Sequence, residues 1–464
     1  MKKLIVWILA FTTFLNVLCF ISCGKQDYAD SPKKEIKDDE AYRLLDETNG
    51  NMSRLGSYTA TTESDFWFSY QGYSFDLEEE IIETFERIGD DDLAHRTETY
   101  VDMTVNGVTA STSCMEGFYD GYMYRNYTDG SLTRKLRSPL SASAYELHVE
   151  SFNESVLDRI LWDEELSAQA EITQKGGGAK TVTLTDFNTA FMNQLRAELN
   201  LRSISDMITV KSVSVVFNIN AYGEYSSIEL NFALDMNGKT VKYLAKTEYT
   251  DKNTTTVKKY SLDSYHEVSD LRAVVKAERA IANILSEDKV DARLTVAEKL
   301  DFGTLQKQAL TTYDIKVACA DGLEYDINVS SKDKNMILAY HDGVRKSYDD
   351  TSGKMTEVSS QASESAVETL VVSDLLNYGL FSANYVDSVE LIGMDKVKFS
   401  VIVNESLCAS RPSPTNELRM KTVEITLTFS GNEISEYETY IAYDGVRSGK
   451  TVTGYTVKTV CIFK

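Results

Sequence analysis

The chain has 464 residues, with 71 Asp and Glu against 48 Lys and Arg, for a formal net charge of −23. An acidic surface of that size repels phosphate backbones and anionic bilayers, so nucleic acid is not expected as a partner, nor a protein lying flat on anionic lipid. The length exceeds one typical domain, and a content of only four prolines suits long sheets.

The first element in chain order reads as an export signal. Lys2 and Lys3 precede an apolar run from Leu4 to Ile21, and polar sequence begins at Gly24. The run ends in "FISCG", where small Ser22 stands before Cys23 and Gly24 follows. This resembles a lipobox, the bacterial signal in which a Cys thiol is lipidated before cleavage on its N-terminal side. Cys19 does not fit, because bulky Leu18 precedes it, and Phe20 stands where the pattern usually has Leu. The expectation is a signal peptide over 1–22, lipidation at Cys23 and a polar tether over 23–38. The protein would then be anchored in the cell membrane on its extracytoplasmic face. A plain cleaved signal and an uncleaved anchor are the alternatives.

The next segment, "DEAYRLLDETNGNMSRL", has Ala41, Leu44 and Leu45 at helical spacing. Beyond it, short runs such as "TVTLTDF", "YDINVSS" and "KTVEITLTFSGNEISEYETYIAY" alternate at period two and are separated by Gly, Asn or Asp. That pattern marks antiparallel strands and hairpins. Three further apolar stripes at helical spacing interrupt it: Val156, Leu157, Ile160 and Leu161; Leu271, Val274, Ala277, Ile281 and Leu285; and Val367, Leu370, Val371 and Leu375. A fourth, over 187–199, carries Phe187, Phe191, Leu195 and Leu199.

The two halves of the chain match each other. "CMEGFYDGYMYRNYTDGSLTRKL" corresponds to "MILAYHDGVRKSYDDTSGKMTEV", and "GGGAKTVTLTDF" to "MDKVKFSVIVN". The long hairpins after Val210 and Met420 correspond as well, as do the opening helices over 39–55 and 269–286. One unit used twice is expected, over 39–258 and 259–464, with the 187–199 segment special to the first copy.

A helix, a long meander, a helix and more meander, with "FYDGYMYRNYTDGSLTRKL" and "AYHDGVRKSYDDTSGKM" as the repeated hairpins, resembles the bacterial lipoprotein-carrier superfamily. That superfamily includes the periplasmic lipoprotein-localisation factors and LppX-like lipid-binding lipoproteins. The layout is most similar to Gram-positive lipoproteins carrying such a domain. The resemblance implies an α+β fold of two tandem curved antiparallel half-barrel sheets, each plugged by a few helices. It implies no catalytic residues, and an apolar cavity able to take an acyl chain at about 0.8 kcal/mol per buried methylene. The alternative is an envelope scaffold lipoprotein with closed cores.

No constellation for catalysis, cofactor or metal emerges. His95, His148, His266 and His341 are scattered, and His266-Glu267 lacks the second imidazole of a zinc-protease motif. His341 stands where the first copy has Tyr119 in the Asp-Gly hairpin, so it reads as turn decoration. "GVRSGKT" is one residue short of a phosphate loop, and "DLEEEIIE" has no calcium-loop spacing. Cys114, Cys319, Cys408 and Cys461 allow three disulfide connectivities. The strand settings of Cys319 and Cys461 favour buried thiols instead. The tyrosines alternate with Thr and Ser and read as ordinary sheet aromatics.

Overall fold

The computed structural model describes residues 40–464 except 71–72, 88–92, 130–131, 153–169, 186–207, 237–238, 287–288, 304–305, 319–323, 333–334, 342–343, 350–353, 360–380, 405–406, 409–417 and 448–449. The expected signal peptide, Cys23, the tether, Cys319 and the helical stripes at 156–161, 187–199 and 367–375 lie outside the described residues. The chain divides into two compact units, Met1–Glu267 and Val268–Lys464.

The first unit opens with helix α1 (Glu40–Met52) and continues through β1 (Ser57–Tyr70), β2 (Tyr73–Arg87), β3 (Leu93–Val105), β4 (Val108–Tyr119), β5 (Tyr122–Asp129) and β6 (Leu132–Pro139). Helix α2 (Ala142–Phe152) follows, then β7 (Glu171–Gln174), β8 (Lys180–Leu184), β9 (Ile208–Ile219), β10 (Tyr225–Met236), β11 (Lys239–Thr250) and the short β12 (His266–Glu267). They form one 12-stranded sheet in the order β12-β6-β5-β4-β3-β2-β1-β11-β10-β9-β8-β7. All pairs between neighbours are antiparallel apart from the parallel β12–β6 bridge. The hairpins form where short turns permit left-handed backbone. Asn106-Gly107 and Asp120-Gly121 both have positive φ at both positions, the geometry that matches strand twist.

The second unit repeats this plan. Helix α3 (Leu271–Ser286) precedes β13 (Lys289–Asp301), β14 (Gln306–Ala318), β15 (Glu324–Ser331), β16 (Asn335–His341), β17 (Val344–Asp349) and β18 (Lys354–Ser359). Then come β19 (Val386–Ile392), β20 (Lys396–Val401), β21 (Leu418–Ser430), β22 (Glu433–Arg447) and β23 (Lys450–Phe463). The 11-stranded sheet runs β18-β17-β16-β15-β14-β13-β23-β22-β21-β20-β19. Each strand from β1 to β11 therefore has a counterpart twelve labels later, in the same position. His341 pairs with Val344 to close the second copy's hairpin, as Tyr119 pairs with Tyr122 in the first.

Among the described residues the protein is mostly β, with three α-helices, and its two tandem sheets agree with the expected layout. The strands are long enough to bury most of the apolar residues on one sheet face. The two compact units meet between Glu267 and Val268, and residues 257–267 pack on the outer face of the first sheet. There Val257, Leu262 and Tyr265 join Ala94, Tyr119 and Tyr124 in one apolar cluster. The strap is also held by polar bonds: Val257 N–H donates to Glu86 Oε2 at 2.8 Å, and Arg137 Nη1 to the Leu262 carbonyl at 3.1 Å. Arg96 stacks on Tyr260 at 4.8 Å.

Gly117 belongs to this packing. A Cβ there would overlap the His95 carbonyl oxygen and lie 2.6 Å from the Tyr124 hydroxyl, so only glycine lets the Tyr124 ring cross its strand.

On the other, core face each opening helix is seated by its apolar stripe. Ala41 and Leu45 of α1 pack with Phe217, Ile219 and Tyr225 of β9 and β10. Leu271, Val274 and Ala277 of α3 are fully buried where the helix meets β19 and β22. Lys276 Nζ donates to the Gly431 carbonyl at 2.8 Å and lies over the Phe429 ring.

A candidate ligand-binding face

The core face of the first sheet is apolar at one end. Phe66, Phe75, Val101, Met103, Val215 and Phe217 form a continuous cluster with α1. Further along the same strands the face turns polar. On β2 the residues that share a side are Phe75, Leu77, Glu79, Ile81, Glu83 and Phe85, so two carboxylates point toward the core.

Glu79 pairs across to Ser64 on β1 and Val101 on β3. Ser64 Oγ donates to its Oε2 at 3.0 Å, while its Oε1 is closed off from solvent and accepts no hydrogen bond. Burial pushes the Glu79 carboxyl up to about 7, only partly offset by the Ser64 bond. Tyr243, on β11, is raised by burial and by the nearby Glu79 charge.

Glu83 is differently placed. Tyr58 OH donates to Glu83 Oε1 at 2.9 Å, and His95 Nε2 lies 3.1 Å from the same oxygen. Burial opposes its ionisation, but the bonds and charge of His95 and the Tyr58 bond outweigh it and hold the carboxyl below the usual range. A carboxylate only accepts, so Nε2 carries a proton. In a neutral imidazole Nδ1 then accepts from Tyr145 OH, 2.6 Å away. Tyr145 comes from α2 and stacks on Phe118 at 4.9 Å, so this relay pins the helix to the sheet. Beyond it Arg125, only 2% exposed, lies 3.9 Å from Glu116 across β4 and β5.

The second sheet has a more aliphatic core face, with Val290, Ala292, Leu294, Ile315, Val317 and Ile425 buried. Its inward carboxylate, Glu298, accepts a hydrogen bond from Tyr455 OH. Cys461 is fully buried, and its thiol is pushed up to about 12 by that burial.

Of the four histidines, His95 and His148 both lie against Tyr145, with ring centroids 5.7 and 6.2 Å from it. His341, on β16, sits beside Asp326 at 3.1 Å in an exposed contact, and His266-Glu267 forms the β12 bridge, with Glu267 paired to Arg137 at 3.2 Å. No group of three His, Cys, Asp or Glu able to hold a metal occurs among the described residues. Glu79, Glu83 and Tyr145 were not singled out by sequence reasoning, and His95 was read only as one of four scattered histidines. The alternation of Phe75, Leu77, Ile81 and Phe85 carries the signal for the two glutamates.

No family model matches the chain, and no curated protein matches it. Among solved structures, a DUF3598-family protein of unknown function from Nostoc punctiforme is 7% identical, covering 92% of this chain and 99% of its own, at a TM-score of 0.14. A double mutant of transferrin-binding protein B from Haemophilus parasuis is 7% identical, covering 88% and 76%, at 0.16. Superpositions at that level carry no argument about this chain.

Proposed function

We propose that this protein is a lipid-anchored lipoprotein of the extracytoplasmic membrane face, a non-catalytic binder related to the lipoprotein carriers. Each sheet would curl into a half-barrel whose opening helix plugs one end, leaving room for an apolar or amphiphilic ligand. Open sheets of this breadth generally curl. One observation carries the reading: inward side chains near the centre of each sheet stay only partly buried. They are Thr62, Leu77, Ile81 and Thr97 in the first unit, and Val296, Thr311, Tyr313 and Val457 in the second. A filled core would have closed over them.

Native mass spectrometry on protein purified from its own envelope, beginning at Lys25, tests the binding. Retained lipid-sized mass that is lost on denaturation is the expected result. A bare polypeptide mass, unchanged after incubation with envelope lipids, would refute it. For the anchor, a fatty-acid label should enter the wild type and not Cys23→Ser, which should leave the membrane fraction.

A second reading, an envelope interaction protein with closed cores, draws on the β19–β20 turn. There Leu391, Ile392 and Met394 are 51%, 41% and 106% exposed. Exposed apolar groups of this kind suit a protein contact.

A further inference from the structure

We infer that the first unit's face binds an amphiphile with a primary ammonium head, held by Glu79. This rests on the ligand-binding reading above and names the ligand class for one of its two sheets.

The position of Glu79 carries the inference. It stands at the border between the apolar cluster of Phe66, Phe75, Val101 and Met103 and the hydroxyl-bearing centre of Thr62, Thr97 and Thr99. Its Oε2 is satisfied by Ser64, and its Oε1 has no donor although it is shut away from water. Buried polar atoms left without a partner are rare in folded proteins and demand a reason. Other inward carboxylates are engaged: Glu83 accepts from Tyr58 and lies against His95, Glu298 in the second unit accepts from Tyr455, and Glu116 has the Arg125 charge 3.9 Å away.

The chemistry missing at Glu79 is a cation with N–H donors. The titratable groups facing it are Tyr243 from β11 and, along its own strand, Glu83; β1 presents Ser64 and β3 presents Val101. None of these is cationic. Glu79 as a residue is half-buried and its Oε1 is closed from solvent, so a ligand head reaches that oxygen by displacing the side chains that cover it. An alkyl chain extending from that head would lie along Leu77 and Ile81, which flank Glu79 on the same strand face and are half-buried. An ammonium at the carboxylate makes a charge-assisted bond, stronger than any bond a neutral head could make there. It also returns Glu79 to its ionised form, so binding at mildly acid pH must release a proton.

The test is calorimetric titration of the full chain with three probes of equal chain length: dodecylamine, dodecanol and dodecanoate, each below its micelle concentration. Dodecylamine should bind roughly tenfold or more tightly than the other two at about pH 8. Glu79→Gln should lose that preference and leave dodecanol binding unchanged. At about pH 6, titrations in buffers of different ionisation heat should show close to one proton released per amine bound by the wild type, and none by the variant. If Glu79→Gln fails to fold, the proton count on the wild type decides alone. Equal binding of all three probes without proton release overturns the Glu79 assignment while leaving the ligand-binding reading intact. Binding of no probe by folded protein overturns both.

Discussion

Glu79 makes the stability of the first unit depend on pH in a direction opposite to most carboxylates. Its carboxyl is raised from 4.5 to about 7 by burial, so the folded protein holds the proton at pH values where the unfolded chain has released it. Stability is therefore full below about pH 4.5 as far as this group is concerned. It falls as pH rises through about 7, and levels off above. A shift of that size corresponds to about 3 kcal/mol at most. With a urea dependence of about 2–3 kcal/mol per molar, the unfolding midpoint should move by roughly 1 M. The assay is convenient because residues 268–464 contain no tryptophan and Trp67 stands on β1, so tryptophan fluorescence reports on the first unit. Other groups titrate too, so the decisive quantity is the difference between wild type and Glu79→Gln. The variant should gain on the wild type between about pH 4.5 and 7 and keep a constant lead above. Parallel pH profiles would refute the reasoning.

Other expectations follow from neighbouring contacts. His95→Leu leaves Glu83 with Tyr58 alone. The stability that Glu83 contributes while ionised, lost as pH falls through its lowered folded pKa, should drop by about 1–3 kcal/mol near neutrality, with little difference from wild type in acid. Tryptophan fluorescence in urea at two pH values checks this. Gly117→Ala drives a methyl against the His95 carbonyl, which is backbone and cannot swing away, so a loss of about 1–3 kcal/mol should appear in the same assay. Leu45→Ala and Leu271→Ala each remove a wholly buried helix contact. Each should cost about 2–5 kcal/mol, measured by circular dichroism on thermal or urea unfolding.

How far these features were legible beforehand varies with the local signal. The duplication was readable because the hairpin turns repeat, and the strand order of the two sheets is the same. The α3 stripe was readable because Leu271, Val274, Ala277 and Ile281 recur at helical steps, and all four are buried. Helix α2 was not. Its buried side chains are Tyr145 and His148, types equally at home in strands, and its cap, Ser141 Oγ accepting from Ala144 N–H at 3.2 Å, lies in a Ser-Ala run that reads as loop. The strap over 257–267 looked like a linker, because Tyr260, Leu262 and Tyr265 are interleaved with Lys, Ser and Asp. The acidic run "DLEEEIIE" hid most. Its density of Glu suggests a solvated face, and Glu78 and Glu80 do point outward, yet period two places Glu79 with Leu77 and Ile81.

That last case shows what a duplicated sheet preserves and what it leaves to vary. Backbone pairing is set by hairpins and by the apolar register, so a carboxylate can replace an aliphatic residue on the core face without disturbing strand order. What it then requires is a donor, and the two copies differ in where donors arise. Glu298 meets Tyr455 from a nearby strand. Glu83 meets Tyr58 on β1 and His95 on β3. Around Glu79 the flanking strands present Ser64 on one side and Val101 on the other, so a single hydroxyl serves a carboxyl that has two oxygens. The topology is shared between the copies, and the chemistry of their faces is not. A ligand held by Glu79 in the first sheet would meet, in the second, a carboxylate already engaged by Tyr455.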